Sequence, residues 1–240
     1  MKEVALVCAG DKFDPQLHIK QIYANLHEYC TDFRLTVFTD KDDIGLPGVR
    51  LIKLPDWNLH GPRQLWWYKV YMFSPQEWTG PVFYMDLDTI IINSIDKFWD
   101  YETDKFCICQ DFNRQFIPDY AISNSSVMRF DNSQHHKLYH DFVANPQKIM
   151  RQYRGDQDYT TAYLAGVTNK AWWPKPWAMS YKWEIKHGGS LKGGLDLQYP
   201  EDYIQPEHED VVHSDCSIVV FHGKPDPYDT DFGQKRLTVL

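Results

Sequence analysis

The sequence lacks the features that mark nucleic-acid-binding, membrane-spanning or repetitive proteins. Basic residues are in the minority: 25 Lys and Arg stand against 33 Asp and Glu, which gives a formal net charge of −8 in 240 residues. Nucleic-acid binders usually have the opposite balance, so we expect no nucleic-acid partner. No apolar run is long enough to cross a bilayer, and residues 1–15 lack the pattern of a signal peptide, so we expect neither. Internal repeats and low-complexity segments are absent too.

Cysteine is also scarce, and its spacing is irregular. An odd count of five does not suggest a disulfide framework, and the Cys107–Cys109 spacing is too short for the usual zinc knuckle. Reduced thiols are typical of cytosolic proteins, so we expect a cytoplasmic location. The five are Cys8, Cys30, Cys107, Cys109 and Cys216.

Apolar and aromatic residues are plentiful by comparison. Hydrophobic residues make up 43% of the chain, enough for the core of one large domain. Aromatic residues reach 15%, and nine of them are Trp. Because Trp and Tyr combine a large apolar face with a polar tip, this surplus predicts ligand-binding surfaces as well as core.

The first 92 residues alternate between strand and helix patterns. Apolar, β-branched runs predict strands, and apolar residues at helical spacing predict helices. Such an alternation favours an α/β fold: one domain with a mostly parallel, Rossmann-like central sheet flanked by helices. The predicted strands are 4–9, 34–39, 49–54 and 81–92, and the predicted helices are 17–29 and 64–73. In the second helix we expect Trp66, Val70 and Phe73 to share the buried face.

The second half of the chain is less regular. It contains predicted strands at 126–130 and 217–221 and predicted helices at 133–145 and 159–165. Residues 169–203 are rich in Trp, Gly and Pro, so we expect loops that cover a cleft. The aromatic residues of this segment are either core or a platform for an acceptor, and both alternatives remain open: Trp172, Trp173, Trp177, Tyr181 and Trp183.

Two carboxylates interrupt an otherwise apolar run in FYMDLDTIII, residues 83–92. Asp86 and Asp88 follow a strand that reads as buried on both faces, and Asp11 and Asp40 also follow apolar runs. Ligands of parallel sheets bind at the carboxyl ends of strands, and residues i and i+2 point to the same side. Salt bridges or caps would explain the pair, but so would Mg²⁺ or Mn²⁺. An imidazole from His222, after a later strand, would favour Mn²⁺.

At this point the motifs carry a resemblance. FYMDLDT resembles the "YLDxDT" strand end of the A-type nucleotide-sugar glycosyltransferases, especially family 8, the glycogenin-like enzymes. Further segments agree in order and spacing over nearly the whole chain. They are VALVCAGDKF at 4–13, Lys69 before the metal strand, SNSSVM at 123–128, GDQD at 155–158 and FHGKPDPY at 221–228.

The resemblance implies a UDP-sugar donor, a carbohydrate or other hydroxyl acceptor, and retention of configuration. Residues 1–100 would be the nucleotide-binding half, and 101–240 the sugar- and acceptor-binding half. Asp86, Asp88 and His222 would bind the Mn²⁺ or Mg²⁺ that bridges the diphosphate. The other implied donor-binding positions are Asp11 in the base loop, Phe13 on the uracil, Lys69, Asn124 at the sugar, and Gly223 and Lys224 at the diphosphate. Asp156, Gln157 and Lys224 are the candidate catalytic residues.

The chain departs from the family pattern in places. Gly10 stands where the nucleotide loop usually has Asn, and His222 is followed directly by Gly-Lys, without the usual spacer. The family's arginine near the base has a weak counterpart in Arg63.

Simpler interpretations exist for single residues and for the chain. Asp156 and Asp158 are good helix caps, His222 is compatible with a core histidine, Lys69 with a snorkelling lysine and Lys224 with a solvated loop. For the chain, a nucleotidyltransferase or a non-catalytic sugar-binding protein is the alternative. A nucleotidyltransferase usually has a Gly-rich basic loop after its first strand, and AGDKFDP has one Gly and no Arg.

Overall fold

The computed structural model describes residues 1–76, 78, 80–112, 121–186 and 207–237. Its strands and α-helices alternate along the first hundred residues and then become irregular, in agreement with the sequence pattern. The strands are β1 Lys2–Cys8, β2 Phe33–Thr39, β3 Arg50–Lys53, β4 Val82–Met85, β5 Thr89–Ile91, β6 Phe106–Gln110, β7 Ser123–Phe130, β8 Lys170–Trp172, β9 Ala178–Ser180 and β10 Ile218–Val220. The α-helices are α1 Lys20–Tyr29, α2 Lys97–Asp100, α3 His136–Ala144, α4 Pro146–Gln152, α5 Asp156–Ala165 and α6 Asp231–Gln234.

Several helical segments are not α-helical. The predicted helix 17–29 begins as a π-helical turn, and the predicted helix 64–73 is a 3₁₀-helix. The π segments are Pro15–Ile19 and Tyr181–Lys186, and the 3₁₀ segments are Gln64–Phe73, Asn132–Gln134, Lys175–Trp177, Glu209–Val211 and Pro227–Asp229.

Seven strands form the central sheet in the order β3-β2-β1-β4-β7-β6-β8. The first four are mutually parallel, and β7 alone runs antiparallel to its neighbours β4 and β6. As a result the carboxyl ends of β1 and β4 and the amino end of β7 meet at one edge. Ligands of such sheets bind in a crevice at this edge.

The core lies on both faces of this sheet. Along β1, Val4 and Leu6 pack into one apolar cluster, while Ala5 packs into the other. Successive strand residues point to opposite faces, so a strand buried on both sides needs a continuous apolar run. This is the pattern that predicted β1 and β4, whereas the alternating, β-branched residues of 34–39 predicted β2.

The quoted run 83–92 divides between two sheets. After β4 the chain bends through residues 86–88, and β5 then joins a second sheet of order β5-β10-β9. β5 pairs antiparallel with β10, and β10 pairs parallel with β9. The bend therefore places Asp86 and Asp88 where the chain leaves the central sheet.

The expectation of loops over 169–203 is wrong for its first part. Residues 170–172 and 178–180 form β8 and β9, which complete one edge of each sheet, and a helical turn follows at 181–186. Residues 187–203 lie outside the described ranges. Because these strands have only three residues each, they have little sequence signature, and neighbouring strands determine their conformation.

The buried face of the 3₁₀-helix also differs from the expectation. Trp67, Val70 and Phe73 are buried, whereas Trp66 is 47% exposed. A 3₁₀-helix has three residues per turn, so residues i, i+3 and i+6 share a face. The expected stripe assumed an α-helical period and therefore placed the wrong tryptophan in the core.

Candidate active site

A cavity of about 670 Å³ opens at the edge where β1, β4 and β7 meet. Nine of the eleven site residues predicted from the sequence line it: Phe13, Lys69, Asp86, Asp88, Asn124, Asp156, Gln157, His222 and Gly223. Asp11 and Lys224 are not among the lining residues. The fold thus brings together side chains that are up to 210 positions apart in the sequence.

Asp86 and Asp88 occupy the bend after β4. The backbone N–H of Asp86 donates to the Ser126 carbonyl at 2.9 Å, which continues the pairing of β4 with β7 for one residue. Asp88 is only 7% exposed, and its carboxylate accepts a hydrogen bond from the Gly223 backbone N–H at 2.5 Å. Both carboxylates are therefore fixed in position at the cavity wall.

The two carboxylates differ in their electrostatic environments. Burial, together with the charge of Asp86, raises the pKa of Asp88 to about 6. Burial also acts to raise the pKa of Asp86, but the Lys69 ammonium and a hydrogen bond from Tyr84 outweigh it and hold that pKa below its ordinary value. A cation beside Asp88, in addition to the Lys69 ammonium beside Asp86, would relieve the repulsion between the two carboxylates.

Lys69 connects the two ends of the cavity. Its ammonium lies 2.9 Å from an Asp86 carboxylate oxygen and 3.1 Å from an Asp156 carboxylate oxygen, and it donates to the Ser125 hydroxyl at 3.1 Å. Burial opposes the charged form of Lys69, yet Asp156 and Asp86 together raise its pKa above the ordinary value. Lys69 is thus held inward, and the snorkelling interpretation is wrong.

Asp156 begins α5 rather than preceding it. Gly155 is the N-cap, and Asp156 and Asp158 lie within the helix, so the capping interpretation of these two residues is wrong. The Asp156 carboxylate instead accepts from the Ser125 hydroxyl at 2.8 Å in addition to Lys69. Asp156 and Asp158 still lie in the first turn, where negative charge is favourable.

Amide groups line the cavity beside Asp156. The Asn124 side chain donates to the Gln157 amide oxygen at 3.2 Å, and Gln157 donates in turn to Asp111 at 3.2 Å. The Asn124 amide oxygen accepts from the Ser126 backbone N–H at 3.0 Å. The strand β7 and the helix α5 thereby present a fixed row of polar groups of the kind that recognises hydroxyls.

The loop after β1 contributes an aromatic ring and a cation. Phe13 packs edge-on against His18 with ring centroids 5.0 Å apart, and the Lys12 ammonium lies 4.2 Å from the Phe13 ring centroid. Lys12 also lines the cavity, although the sequence motifs did not identify it. Asp11 is 94% exposed and pairs with Lys41, so the structure places it outside the cavity.

The segment after β10 enters the cavity with two residues and then leaves it. His222 and Gly223 have left-handed backbones, with φ of 61° and 87°. The His222 ring packs edge-on against Phe112 at 4.7 Å. The Lys224 side chain is 66% exposed and pairs with Asp226 and Asp229 instead of facing the cavity. Its assignment to the diphosphate stays a prediction.

The tryptophans of 172–183 belong to the core and do not line the cavity. Trp173 is buried, and its indole N–H donates to the Val127 carbonyl at 3.1 Å. Trp177 packs against Phe98 at 5.2 Å between ring centroids. Of the two alternatives left open by the sequence, core packing is the one that these contacts support.

The exposed aromatic residue at the cavity is Trp66, which the sequence interpretation assigned to the core. Ser125 and Arg154 also line the cavity without having been identified. In the sequence, Trp66 lies three residues before Lys69. This spacing indicates that the two side chains share a face only when the helix is known to be a 3₁₀-helix.

The donor chemistry at the bend suits a hard divalent cation. Asp86 and Asp88 supply carboxylate oxygens, which Mg²⁺ and Mn²⁺ prefer, and their mutual repulsion favours a bound cation. Among the described residues, however, no three His, Cys, Asp or Glu side chains are grouped as a metal site. The two carboxylates therefore fit such an ion, and His222 as third ligand stays a prediction.

Comparison with solved structures identifies the fold. No protein-family model and no curated protein sequence matches the chain. An active-site mutant of LgtC superposes with a TM-score of 0.63 at 13% identity, over 99% of this chain and 97% of LgtC. LgtC is described as a galactosyltransferase and has also been solved with donor and acceptor sugar analogs.

Two further glycosyltransferases are similar. GlyE of Streptococcus pneumoniae gives a TM-score of 0.61 at 10% identity, over 95% of this chain but only 57% of GlyE. Mouse xyloside xylosyltransferase 1 gives a TM-score of 0.58 at 12% identity, over 92% of this chain and 97% of that enzyme.

These comparisons confirm the expected class of fold. The chain is a single α/β domain with a seven-stranded, mostly parallel sheet, and it resembles the A-type glycosyltransferases of family 8. At identities of 10–13% the likeness concerns the fold, so activity must be argued from the cavity itself.

The sequence also predicted that no segment would span a membrane. Across the described ranges, no helix combines the length and the apolar character needed to cross a bilayer.

Proposed function

We propose that this chain is a glycosyltransferase that moves a hexose from a UDP-sugar to a hydroxyl of a carbohydrate or other acceptor, with retention of configuration. The observation that carries the proposal is the joint placement of Asp86 and Asp88 with Asn124, Asp156 and Gln157 around one cavity. A paired carboxylate site beside a row of amides suits a metal-bound diphosphate joined to a sugar.

Asp86 and Asp88 would hold Mn²⁺ or Mg²⁺, with His222 as the proposed third protein ligand. Burial and the charge of Asp86 raise the pKa of Asp88, and both effects favour a cation at this point. When bound, the ion supplies positive charge that stabilises the diphosphate as it leaves. The net charge of the chain is −8, and this negative charge disfavours the binding of an anionic donor. A bound cation would offset that repulsion.

The cavity offers a place for each part of the donor. Phe13 would stack on the base, and Gly223 would lie toward the diphosphate. Asp11 and Lys224, which do not line the cavity, would have to reach the base and the diphosphate from its rim. Asn124 and Gln157 would bind sugar hydroxyls, and Lys69 would keep Asp86 and Asp156 in place between diphosphate and sugar. Support for this order comes from the ion pairs of Lys69 with both carboxylates.

In the proposed transfer, the bond between the anomeric carbon and the diphosphate oxygen breaks, and its electron pair stays on that oxygen. The acceptor oxygen bonds to the anomeric carbon, and its proton passes to the leaving phosphate oxygen. Asp156 is held by Lys69 and Ser125, so it is suited to steadying positive charge at the anomeric carbon rather than to taking a proton. This arrangement is compatible with retention.

The test is calorimetric binding of UDP with and without Mn²⁺, followed by assay of UDP-sugar hydrolysis. We expect UDP to bind only with the metal and Asp88→Asn to abolish metal-dependent binding. Asp141→Asn, which alters an exposed helix pair with Lys137, serves as the matched control and should bind normally. Equal UDP affinity in excess chelator would refute the metal-dependent proposal.

A further inference from the structure

The 3₁₀-helix 64–73 lines the cavity with its first residues, Gln64 and Leu65 among them, and further along with Lys69. Arg63, Trp66 and Lys69, spaced three residues apart, form one stripe of this lining. Arg63 is the N-cap of the helix, while Trp67 and Val70 are buried in the core. The period of three residues per turn explains this division. Lys69 belongs to the interior of the site, so Arg63 and Trp66 are the part of the stripe that reaches the rim.

Trp66 offers an exposed aromatic face next to the proposed sugar position. A Cβ atom placed on Gly155 would lie 3.2 Å from the Trp66 ring, so the missing side chain at Gly155 leaves room for the indole. Gly155 directly precedes Asp156, the carboxylate proposed to face the donor sugar. An indole in this position is suited to stacking on the apolar face of a second sugar.

One guanidinium group lies against this indole, and a second arginine, Arg154, lines the same cavity. The Arg63 guanidinium lies 5.1 Å from the Trp66 ring centroid, and it donates to the backbone carbonyl of Arg154 at 3.4 Å. Arg63 and Arg154 are both exposed and line the cavity. In the part of the chain that the structure describes, neither guanidinium forms an ion pair with a carboxylate.

Arg63 also has an unusual backbone. Its φ of 62° lies in the left-handed region, which costs a residue with a side chain about 1 kcal/mol or more.

The acidic side chains of this cavity are Asp86, Asp88, Asp156 and Asp158. The first three have partners in Lys69 or Gly223, and Asp158 lies in the first turn of α5, four residues after Arg154.

We propose that Arg63, Trp66 and Arg154 form the acceptor subsite, and that it selects sugar acceptors that carry a carboxylate or phosphate. This inference rests on the proposed glycosyltransferase function and adds the chemical class of its acceptor. The indole binds the ring of the acceptor, and the guanidinium groups bind its anionic group through paired N–H donors. The acceptor hydroxyl then lies beside Asp156, where the donor sugar is held.

The competing occupant is the diphosphate of the donor itself. In the proposed donor arrangement that group lies at the bend with Asp86 and Asp88, across Lys69 from the rim. The two occupants predict different losses when the arginines are changed: affinity for an anionic acceptor in one case and affinity for UDP in the other.

The experiment is calorimetric titration of the whole protein, with and without Mg²⁺ and UDP, using glucose, glucuronate, glucose 6-phosphate and inorganic phosphate. Matching galactose compounds form a second set. We expect the anionic sugars to bind about tenfold more tightly than the neutral sugar at low salt, as for one charge-assisted contact. The larger of the two gains, for carboxylate or for phosphate, identifies the anionic group.

Variants separate the contribution of the arginines from the contribution of the Trp66 indole. Arg63→Gln and Arg154→Gln should remove the preference for anionic sugars and leave UDP affinity unchanged. Trp66→Ala should weaken all the sugars alike, and Trp66→Phe should restore most of the loss. Arg151→Gln, an exposed arginine three residues before Arg154 and outside the cavity, is the matched control.

The outcomes distinguish this inference from the function on which it rests. Failure of the wild-type protein to bind UDP with metal contradicts the proposed function, whereas the preference among sugars is measured in either case. Equal binding of neutral and anionic sugars overturns the inference. So does inorganic phosphate binding as tightly as the sugar phosphate, or a loss of UDP affinity in Arg63→Gln.

Discussion

At the scale of single residues, the cavity depends on paired charges in a poorly solvated place. Lys69 lies between Asp86 and Asp156, and its ammonium neutralises both. Substitution of one of these three residues leaves a buried charge without its partner, and this lowers the stability of the protein. The same principle explains why Asp88, which pairs with no ammonium group among the described residues, has a raised pKa whereas the pKa of Asp86 is lowered.

His135 gives the protein a pH-dependent stability. The ring is 5% exposed and lies 3.0 Å from the Tyr163 hydroxyl. Burial lowers the pKa of His135 from 6.5 to about 4. The charge of Asp131 acts to raise this pKa, and the charge of His136 acts to lower it further. Between these values the unfolded chain binds the extra proton, so the free energy of unfolding rises with pH there, by at most about 1.4 kcal/mol per pH unit.

We therefore expect His135→Gln to lose this contribution. Urea midpoints measured from pH 4 to pH 7.5 should rise less steeply in the variant than in the wild type, and the two profiles should run parallel above pH 7. His140→Gln, on the exposed side of α3, should keep the wild-type profile. Identical slopes for His135→Gln and wild type would show that this imidazole does not titrate with folding.

Lys12 and Lys224 are the two lysines that we compare as candidates for binding the leaving diphosphate of the proposed reaction. Lys12 lines the cavity, and its charge acts on Asp88, whereas Lys224 pairs with Asp226 and Asp229. A cation at a developing phosphate charge contributes about 2.7–4 kcal/mol to the transition state. We expect Lys12→Ala to lower kcat for UDP-sugar hydrolysis by about 100-fold, with partial rescue by Lys12→Arg.

Lys224→Ala should change kcat far less, because its ammonium is solvated and already paired. A loss at Lys224 that equals or exceeds the loss at Lys12 would support the role that the family resemblance implied for it. The same assay of both variants decides between the two lysines.

At the scale of elements, the site depends on two local irregularities. The bend between β4 and β5 presents Asp86 and Asp88, and the 3₁₀-helix divides its residues between core and cavity. In a regular strand or an α-helix, these side chains would take other directions. The functional positions thus coincide with departures from regular secondary structure.

The tryptophans of the β8–β9 segment should contribute to stability rather than to acceptor binding. Trp173→Ala removes a buried indole and leaves the Val127 carbonyl without its hydrogen bond, so we expect a loss of about 3–5 kcal/mol in the free energy of unfolding. Trp66→Ala, at an exposed position, should change it by about 0.5 kcal/mol or less. Urea unfolding measures both, and a stable Trp173→Ala variant would contradict the core assignment.

At the scale of the whole molecule, both halves of the chain build one cavity. The segments that follow β1 and β4 supply Phe13, Asp86 and Asp88, while β7 and α5 supply Asn124 and Asp156. The central sheet itself joins the halves, since β4 pairs with β7. The division into a nucleotide-binding half, 1–100, and a sugar- and acceptor-binding half, 101–240, remains a prediction. It is compatible with a cavity that both halves line.

The stereochemistry of transfer is a property of this complete cavity. Asp156 is paired with Lys69, and Gln157 cannot accept a proton readily, so neither is an obvious base for inversion. We expect an α-linked donor to give an α-linked product, and Asp156→Asn to be much slower. Proton NMR of the first-formed product measures the anomeric coupling. A β-linked product would redirect the search for a base to Asp158 or Asp111.

The sequence by itself determined the sheet that carries the site. The apolar runs of β1 and β4 predicted strands buried on both faces, and the alternating, β-branched residues of β2 predicted a third strand. The prediction of β4 included the position of Asp86 and Asp88 at a strand end. The resemblance of short motifs to the family 8 glycosyltransferases also pointed to Lys69, Asn124 and Asp156. These features are local, which is why a single sequence reveals them.

The tertiary structure decided what depends on distant partners. β8 and β9 exist because neighbouring strands pair with them, and the period of the 3₁₀-helix determined that Trp67 is core and Trp66 is rim. The direction of Lys224 was decided by two aspartates that follow it, and the position of Lys12 by the fold of the loop after β1. Charge pairing and side-chain direction are settled only when the whole chain has packed, because each depends on residues that the sequence does not place nearby.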